Sequence, residues 1–233
     1  CIFLNFINRM TSSPCILCGS TSKKIVARGT DVIHKTTKRV FTISRCTTCR
    51  LVFTDPQPSA AELRNYYPSE YRPHRLEKGT VFHYERPANP AKNILDVGCG
   101  NGNFLEELAK EHPDWGCFGI DLDPRAVKQA RGRGYDVSEG TLEDSAYESN
   151  FFDTIFINHV LEHVPNPRTT LETAYRILKP EGSVLLLLPN YQSASRFLFR
   201  SYWYGLDLPR HLYHFTPKTI TRLLRTVGFE NIQ

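Results

Sequence analysis

The sequence predicts an α/β chain in which a doubly wound, mostly parallel sheet follows a small front module built on four cysteines. Three observations carry this expectation. From Asn93 onward, short apolar runs alternate with stretches of helical periodicity. A glycine-rich turn, Gly98-Cys99-Gly100-Asn101-Gly102, joins the first such run to the first such helix. Near the front stand two Cys-x-x-Cys pairs, Cys15/Cys18 and Cys46/Cys49.

At 233 residues with 40% hydrophobic content, the chain suits one α/β domain plus an accessory module, which makes disorder and membrane insertion poor readings. Its apolar runs fall short of the ~18 residues that span a bilayer. Cys1-Ile2-Phe3-Leu4 lacks the basic lead-in of a secretory signal, so the expected location is the cytoplasm. The single methionine is Met10, and residues 1–9 are read as upstream translation. The expected organisation is a disordered tail over 1–13, a metal module over 14–54, a helical linker or cover over 55–90, and the α/β domain over 91–233. Charge divides along the same line. Residues 1–90 hold 14 Lys/Arg against 6 Asp/Glu, and residues 91–233 hold 15 against 18. A basic front suits an anionic partner, nucleic acid included, or a solvated face.

Each cysteine pair is a short turn that aims two thiolates at one ion, and 27 residues rich in Thr, Val, Ile and Phe lie between the pairs. Four sulfur ligands close a tetrahedral zinc site, so Cys15, Cys18, Cys46 and Cys49 are expected to hold a structural zinc in a zinc ribbon. Asp55-Pro56-Gln57-Pro58 then ends the strands, and Ala60 to Tyr67 reads as a short helix. Tyr66, Tyr67 and Tyr71 are available to line a substrate mouth.

Asn93 to Val97, the glycine turn, and a helix carrying Phe104, Leu105 and Leu108 form a nucleotide-cradling unit. The spacing is Gly-x-Gly-x-Gly, and Asn103 stands where a dinucleotide fingerprint needs glycine. Asp96 sets an acid beside the turn, unfavourable to a pyrophosphate and favourable to a cationic amine. Asp121 ends the next strand, about 20 residues on, where an acid accepts hydrogen bonds from ribose hydroxyls. Asp123 and Pro124 cap and start the following helix.

The segments LDVGCGNGNFL (95–105), GIDLDP (119–124) and FFDTIFINHVLEHV (151–164) resemble the class I S-adenosylmethionine-dependent methyltransferases, over residues 93 to about 232. The resemblance implies a Rossmann-like sheet and S-adenosylmethionine as cofactor. It implies Asp96, Gly98, Gly100 and Gly102 at the methionine moiety, Asp121 at the ribose and Leu122 against adenine. It also implies Thr141 and Leu142 at the adenine edge, with Asn158 beside the methyl group. Many relatives carry an acid where Thr141 stands. The four cysteines and Pro209-Arg210-His211-Leu212-Tyr213-His214-Phe215 resemble a subgroup with an N-terminal zinc ribbon, some members of which act on sugars or cell-surface precursors.

His159-Val160-Leu161-Glu162-His163 also fits the inverted zinc-protease pattern. That reading is rejected because the segment follows a strand inside βα units and Val164-Pro165 stops a helix. Methyl transfer needs an aligned acceptor and, for a hydroxyl or activated carbon, a group that takes its proton. His159, His163, His211 and His214 are the candidates, with simple packing as the alternative. Arg196, Arg200 and Arg210 could hold a phosphate or carboxylate, and Tyr202, Trp203 and Tyr204 could form an apolar wall.

Leu171, Ala174, Tyr175 and Leu178 repeat at helical spacing before Pro180, and Ser183 to Leu188 reads as a buried strand. Thr216-Pro217 opens a last helix, stopped by Gly228. The resembling family continues with two antiparallel strands, so the sequence predicts a C-terminally truncated sheet with an exposed edge. The leading functional reading is methyl transfer to a small-molecule acceptor, a sugar or cell-surface precursor by the subgroup resemblance. RNA methylation with a basic zinc ribbon and a non-catalytic zinc-binding scaffold are the alternatives.

Overall fold

A computed structural model describes residues 14–68 and 93–233. The predicted tail, Tyr71 and most of the predicted linker lie outside the described residues.

The first sheet is antiparallel. β1 (Lys23–Gly29) pairs with β2 (Phe41–Cys46), and β2 pairs with β3 (Val52–Thr54). Helix α1 (Ala60–Arg64) follows, capped by Ser59, whose hydroxyl accepts from the Glu62 amide while the Glu62 carboxylate returns the bond to the Ser59 amide.

The second sheet is parallel. β4 (Asn93–Val97) leads through the glycine turn into α2 (Asn103–Glu111), then come β5 (Gly116–Asp121), α3 (Pro124–Gly132), β6 (Asp136–Glu139) and β7 (Phe152–Asn158). Helix α4 (Pro167–Ile177) and β8 (Leu178–Leu187) complete it in the order β6-β5-β4-β7-β8. Alternate side chains of the central strands serve opposite faces. Ile94 and Phe156 pack with Leu108 of α2. Leu95 and Ile155 pack with Leu171 and Ala174 of α4. This is the doubly wound arrangement that the sequence predicts. The order turns between β4 and β7, and such sheets open their ligand crevice at the carboxyl ends of the strands there.

Beyond β8 run α5 (Ala194–Phe199), two short 3-10 turns, β9 (Tyr213–His214) and α6 (Pro217–Val227), which ends on Gly228 at φ +117°. Two local expectations change, the place of Leu178 and the burial of Ser183 to Leu188, which as the edge of the sheet is exposed to half-buried rather than buried. Leu178, expected on the helix, is the first residue of β8; it pairs with Phe152, and a register shift then brings Ser183 opposite Thr154. β9 joins the first sheet by pairing with β3, with His214 opposite Val52. That sheet therefore has four strands, and Trp203, Leu206 and Leu208 pack with its Phe41, Ile43 and Val52.

Candidate functional site

The crevice starts with the turn after β4. Gly98 has φ +76°, and a Cβ there would stand 2.4 Å from Val160 Cγ2, so only glycine lets the turn lie against the segment after β7. Gly100 and Gly102 also have positive φ. The Gly98 and Cys99 amides donate to the Ile120 carbonyl, at 2.8 and 3.2 Å. Asp121 completes the tie: one carboxylate oxygen accepts from the Gly100 amide at 2.8 Å and the other from the Asp123 amide at 2.8 Å. Asp121 thus holds the turn in shape as well as bordering the crevice.

Asp96 ends up in a poor place for an anion. It is 4% exposed, and burial followed by the charge of Asp121 pushes its pKa up to about 8. A cation brought beside these two acids would reverse that penalty. Leu122, the next residue along, is 68% exposed, a large apolar side chain left open at the crevice. Thr141 donates its hydroxyl to Asp144 at 2.7 Å, and Leu142 is buried. At the end of β7, Asn158 Oδ1 is buried with no hydrogen-bond partner among the described residues.

The histidines divide into a cluster and an outlier. The His159–His163 segment is a turn rather than a helix, as Val164-Pro165 implies. His159 takes φ +54°, a left-handed conformation that costs a non-glycine residue energy, and its Nδ1 stands 3.3 Å from Glu162 Oε1. Burial resists ionisation of Glu162, yet the His159 hydrogen bond leads the effects that outweigh it and lower the pKa. The His163 and His211 rings meet edge to face at 4.5 Å, and Tyr67 Oη lies 3.2 Å from His163 Nδ1. Burial, then His211, brings the His163 pKa down to about 4, so the ring is neutral. His214 lies in β9; burial, then His211, brings it down to about 3, and neither ring nitrogen has a partner among the described residues.

Sequence reasoning missed the centre of this cluster. Glu162 enters the sequence pattern only as part of a rejected motif, and Arg210 only as a holder of anionic ligands. Arg210 is in fact fully buried, and its donors are taken up within the chain. They meet Asp31 at 2.8 and 3.1 Å, Asp207 at 2.7 to 3.1 Å and the Tyr66 carbonyl at 2.7 Å. Trp203, expected to form a substrate wall, packs against the first sheet and donates its indole N–H to Ser195. Tyr202 and Tyr204 are exposed. Of the mouth tyrosines among the described residues, Tyr67 touches the histidines, a contact that nothing in its sequence neighbourhood signals.

At the other end of the first sheet, Cys15 Sγ lies 3.5 Å from Cys49 Sγ, and Cys18 Sγ lies 3.6 Å from Cys46 Sγ. A disulfide needs ~2.05 Å, whereas four sulfurs bound at ~2.3 Å to one tetrahedral ion stand roughly 3.8 Å apart. All four ligand atoms lie within 4.8 Å of one another, so the donor set fits zinc in number, chemistry and spacing. No helix among the described residues is long and apolar enough to cross a membrane.

A glycine turn braced by one strand-end acid and bordered by a second, at the switch point of a parallel sheet, is the arrangement expected of the methyltransferase class of α/β domains. Comparison with known proteins assigns the family. The profile described as "Methyltransferase domain" matches residues 69–233, and the chain belongs to this family. A ubiquinone biosynthesis O-methyltransferase of Hahella chejuensis is 34% identical over 137 residues, covering 56% of this chain and 55% of the relative. A malonyl-[acyl-carrier protein] O-methyltransferase of Herminiimonas arsenicoxydans is 30% identical over 148 residues, covering 63% and 56%. The chain thus spans about half the length of these curated relatives. Among solved structures, a SAM-dependent methyltransferase from Archaeoglobus fulgidus matches with a TM-score of 0.53 at 25% identity, over 61% of this chain and 63% of that one.

Proposed function

We propose that this chain transfers a methyl group from S-adenosylmethionine to a small-molecule acceptor, with a hydroxylated sugar or cell-surface precursor as the acceptor class. The buried acid pair carries the cofactor reading: Asp96 is held with its pKa raised to about 8, beside Asp121, and gains most from a neighbouring cation. The cofactor supplies an electrophilic methyl on a sulfonium and a cationic amine. Asp96 and the turn of Gly98, Gly100 and Gly102 receive the methionine end. Asp121 takes the ribose hydroxyls, Leu122 covers adenine, and Thr141 and Leu142 border its edge. Asn158, with its unsatisfied carbonyl oxygen, faces the reacting group.

His159 is the residue placed to take the acceptor's proton. Its Nδ1–H donates to Glu162, since a carboxylate only accepts, so the basic lone pair belongs to Nε2. The strained backbone of His159, directly after β7, supports a functional rather than a packing role. His163, His211 and His214 are more enclosed and hold the wall behind it. The four cysteines hold a structural zinc that closes the first sheet, whose β9 strand leads into the acceptor side.

Calorimetry with S-adenosylhomocysteine tests the cofactor half. Asp121→Ala should weaken binding by about 1–3 kcal/mol, the worth of one or two lost hydrogen bonds, and unchanged affinity would overturn the ribose assignment. Labelled methyl transfer to a panel of nucleotide-sugars, quinols and RNA fragments tests the acceptor half. Labelling of RNA alone, with an affinity that falls steeply with salt, would overturn the small-molecule reading.

A further inference from the structure

Glu162, His163 and His211 bring three ligand atoms within 4.8 Å of one another. Their mutual arrangement is not that of a hydrogen-bonded network. His211 Nδ1 stands 3.0 Å from the Gly205 carbonyl oxygen, which only accepts, so Nδ1 carries a proton and Nε2 is the nitrogen left for a ligand. Nε2 stands 3.9 Å from both Glu162 Oε1 and Asp207 Oδ2, which is too long for a hydrogen bond. These atoms face one another across a gap. Donor atoms bound at about 2.0–2.2 Å to a shared ion stand roughly 3–4 Å apart, so the gap has the size an ion requires.

Two independent observations point the same way. Glu162 is 1% exposed, and its Oε2 has no hydrogen-bond partner among the described residues, an orphaned anionic oxygen inside the protein. The outer bonds are those that orient metal-bound histidines: His211 donates its remote nitrogen to a backbone carbonyl, and the His163 ring is held by Tyr67 Oη at 3.2 Å from Nδ1.

We infer that Glu162, His163 and His211 bind a divalent first-row transition ion, at a centre separate from the four cysteines. Two imidazoles and a carboxylate suit zinc, iron, manganese or cobalt, and reject the all-oxygen preference of magnesium and calcium. Three protein ligands leave a position for water or for an oxygen of the acceptor. In this last respect the inference rests on the proposed methyl transfer, while ion binding itself does not.

Cobalt(II) loading of the full chain, with elemental analysis, tests it. Cobalt at the cysteines shows sulfur-to-metal charge transfer, and cobalt bound by nitrogen and oxygen does not. The wild-type chain should take up an ion beyond the thiolate-bound one. His211→Ala and Glu162→Gln should each lose that further ion while keeping the charge-transfer band and the parent's circular dichroism, which together report that the cysteine module and the fold remain intact. A wild-type chain whose cobalt at saturation is all thiolate-bound would overturn the inference. Retention of the further ion in both variants would overturn the ligand assignment. Titration of wild-type chain with S-adenosylhomocysteine reads the methyltransferase proposal separately, because the cofactor acids Asp96 and Asp121 are not ligands of this centre.

Discussion

Arg210 grips Asp31 with two parallel bonds of 2.8 and 3.1 Å across 179 positions of sequence, and both side chains are fully buried. Asp207 takes the other edge of the guanidinium. Burial works against charge at both partners, and the ion pairing outweighs it: the Asp31 pKa is lowered and the Arg210 pKa raised. Removing the cation leaves two carboxylates buried without it. Arg210→Met should therefore cost about 3–5 kcal/mol in denaturant unfolding. Asp31→Asn combined with Arg210→Gln should cost less than the two single changes summed. A single-variant loss below about 1 kcal/mol would show that the pair does not tie the Asp31 segment to the loop carrying Asp207 and Arg210.

With Asp96 at the cofactor's amine, as proposed, its raised pKa would make cofactor binding a proton-releasing event. A carboxyl whose folded pKa is raised to about 8 is mainly protonated at neutral pH in the cofactor-free protein, so its contribution to stability falls as pH rises from the usual carboxylate range towards 8. A cationic amine favours the ionised form and expels the proton. Affinity for S-adenosylhomocysteine should rise with pH, by up to about tenfold per unit, and level off near 8. Calorimetry in buffers of different ionisation enthalpy should report the released proton, and Asp96→Asn should abolish the release. An affinity flat from pH 6 to 8 would sink the assignment of Asp96 to the amine.

What was legible in the sequence is what short-range physics decides. The glycine turn, Asp96 and Asp121 are readable because positive-φ glycines and strand-end acids are local necessities, and Thr216-Pro217 with Gly228 marks a helix by its caps alone. The cysteine spacing is legible for the same reason. The Glu162 cluster and the Arg210 pair are not, since each needs partners that only the tertiary fold brings together, 49 positions apart for Glu162 and His211 and 179 for Asp31 and Arg210. Arg210 misleads because a lone arginine in a loop looks the same whether its anion is a ligand or a distant aspartate. Leu178 misleads because helical spacing persists one position past Ile177, where the chain has already joined β8.

The cysteine cluster should be structural. With four sulfurs around one ion, Cys46→Ala leaves an incomplete shell in a fully buried position. Zinc should then be lost, and unfolding should cost about 3 kcal/mol less. That is well short of the ~10–16 kcal/mol structural zinc contributes to isolated peptides, because Arg210 and the Trp203 cluster still hold the first sheet. Zinc content together with melting temperature checks this, and a variant that keeps both would show the sulfurs bind no metal.

His159 separates chemistry from stability. Its φ of +54° suits glycine better than histidine, so His159→Gly relieves backbone strain while deleting the ring. The loss of the Glu162 contact works in the other direction, and net stability should stay within about 1 kcal/mol of the parent. Turnover of an accepted substrate should fall by about 10²–10⁴-fold if the ring takes the acceptor's proton. The affinity for S-adenosylhomocysteine should be unchanged, since Asp96 and Asp121 are intact. A histidine kept only for packing would give the opposite pattern, a less stable chain with turnover per folded molecule preserved, and that result would remove His159 from the chemistry.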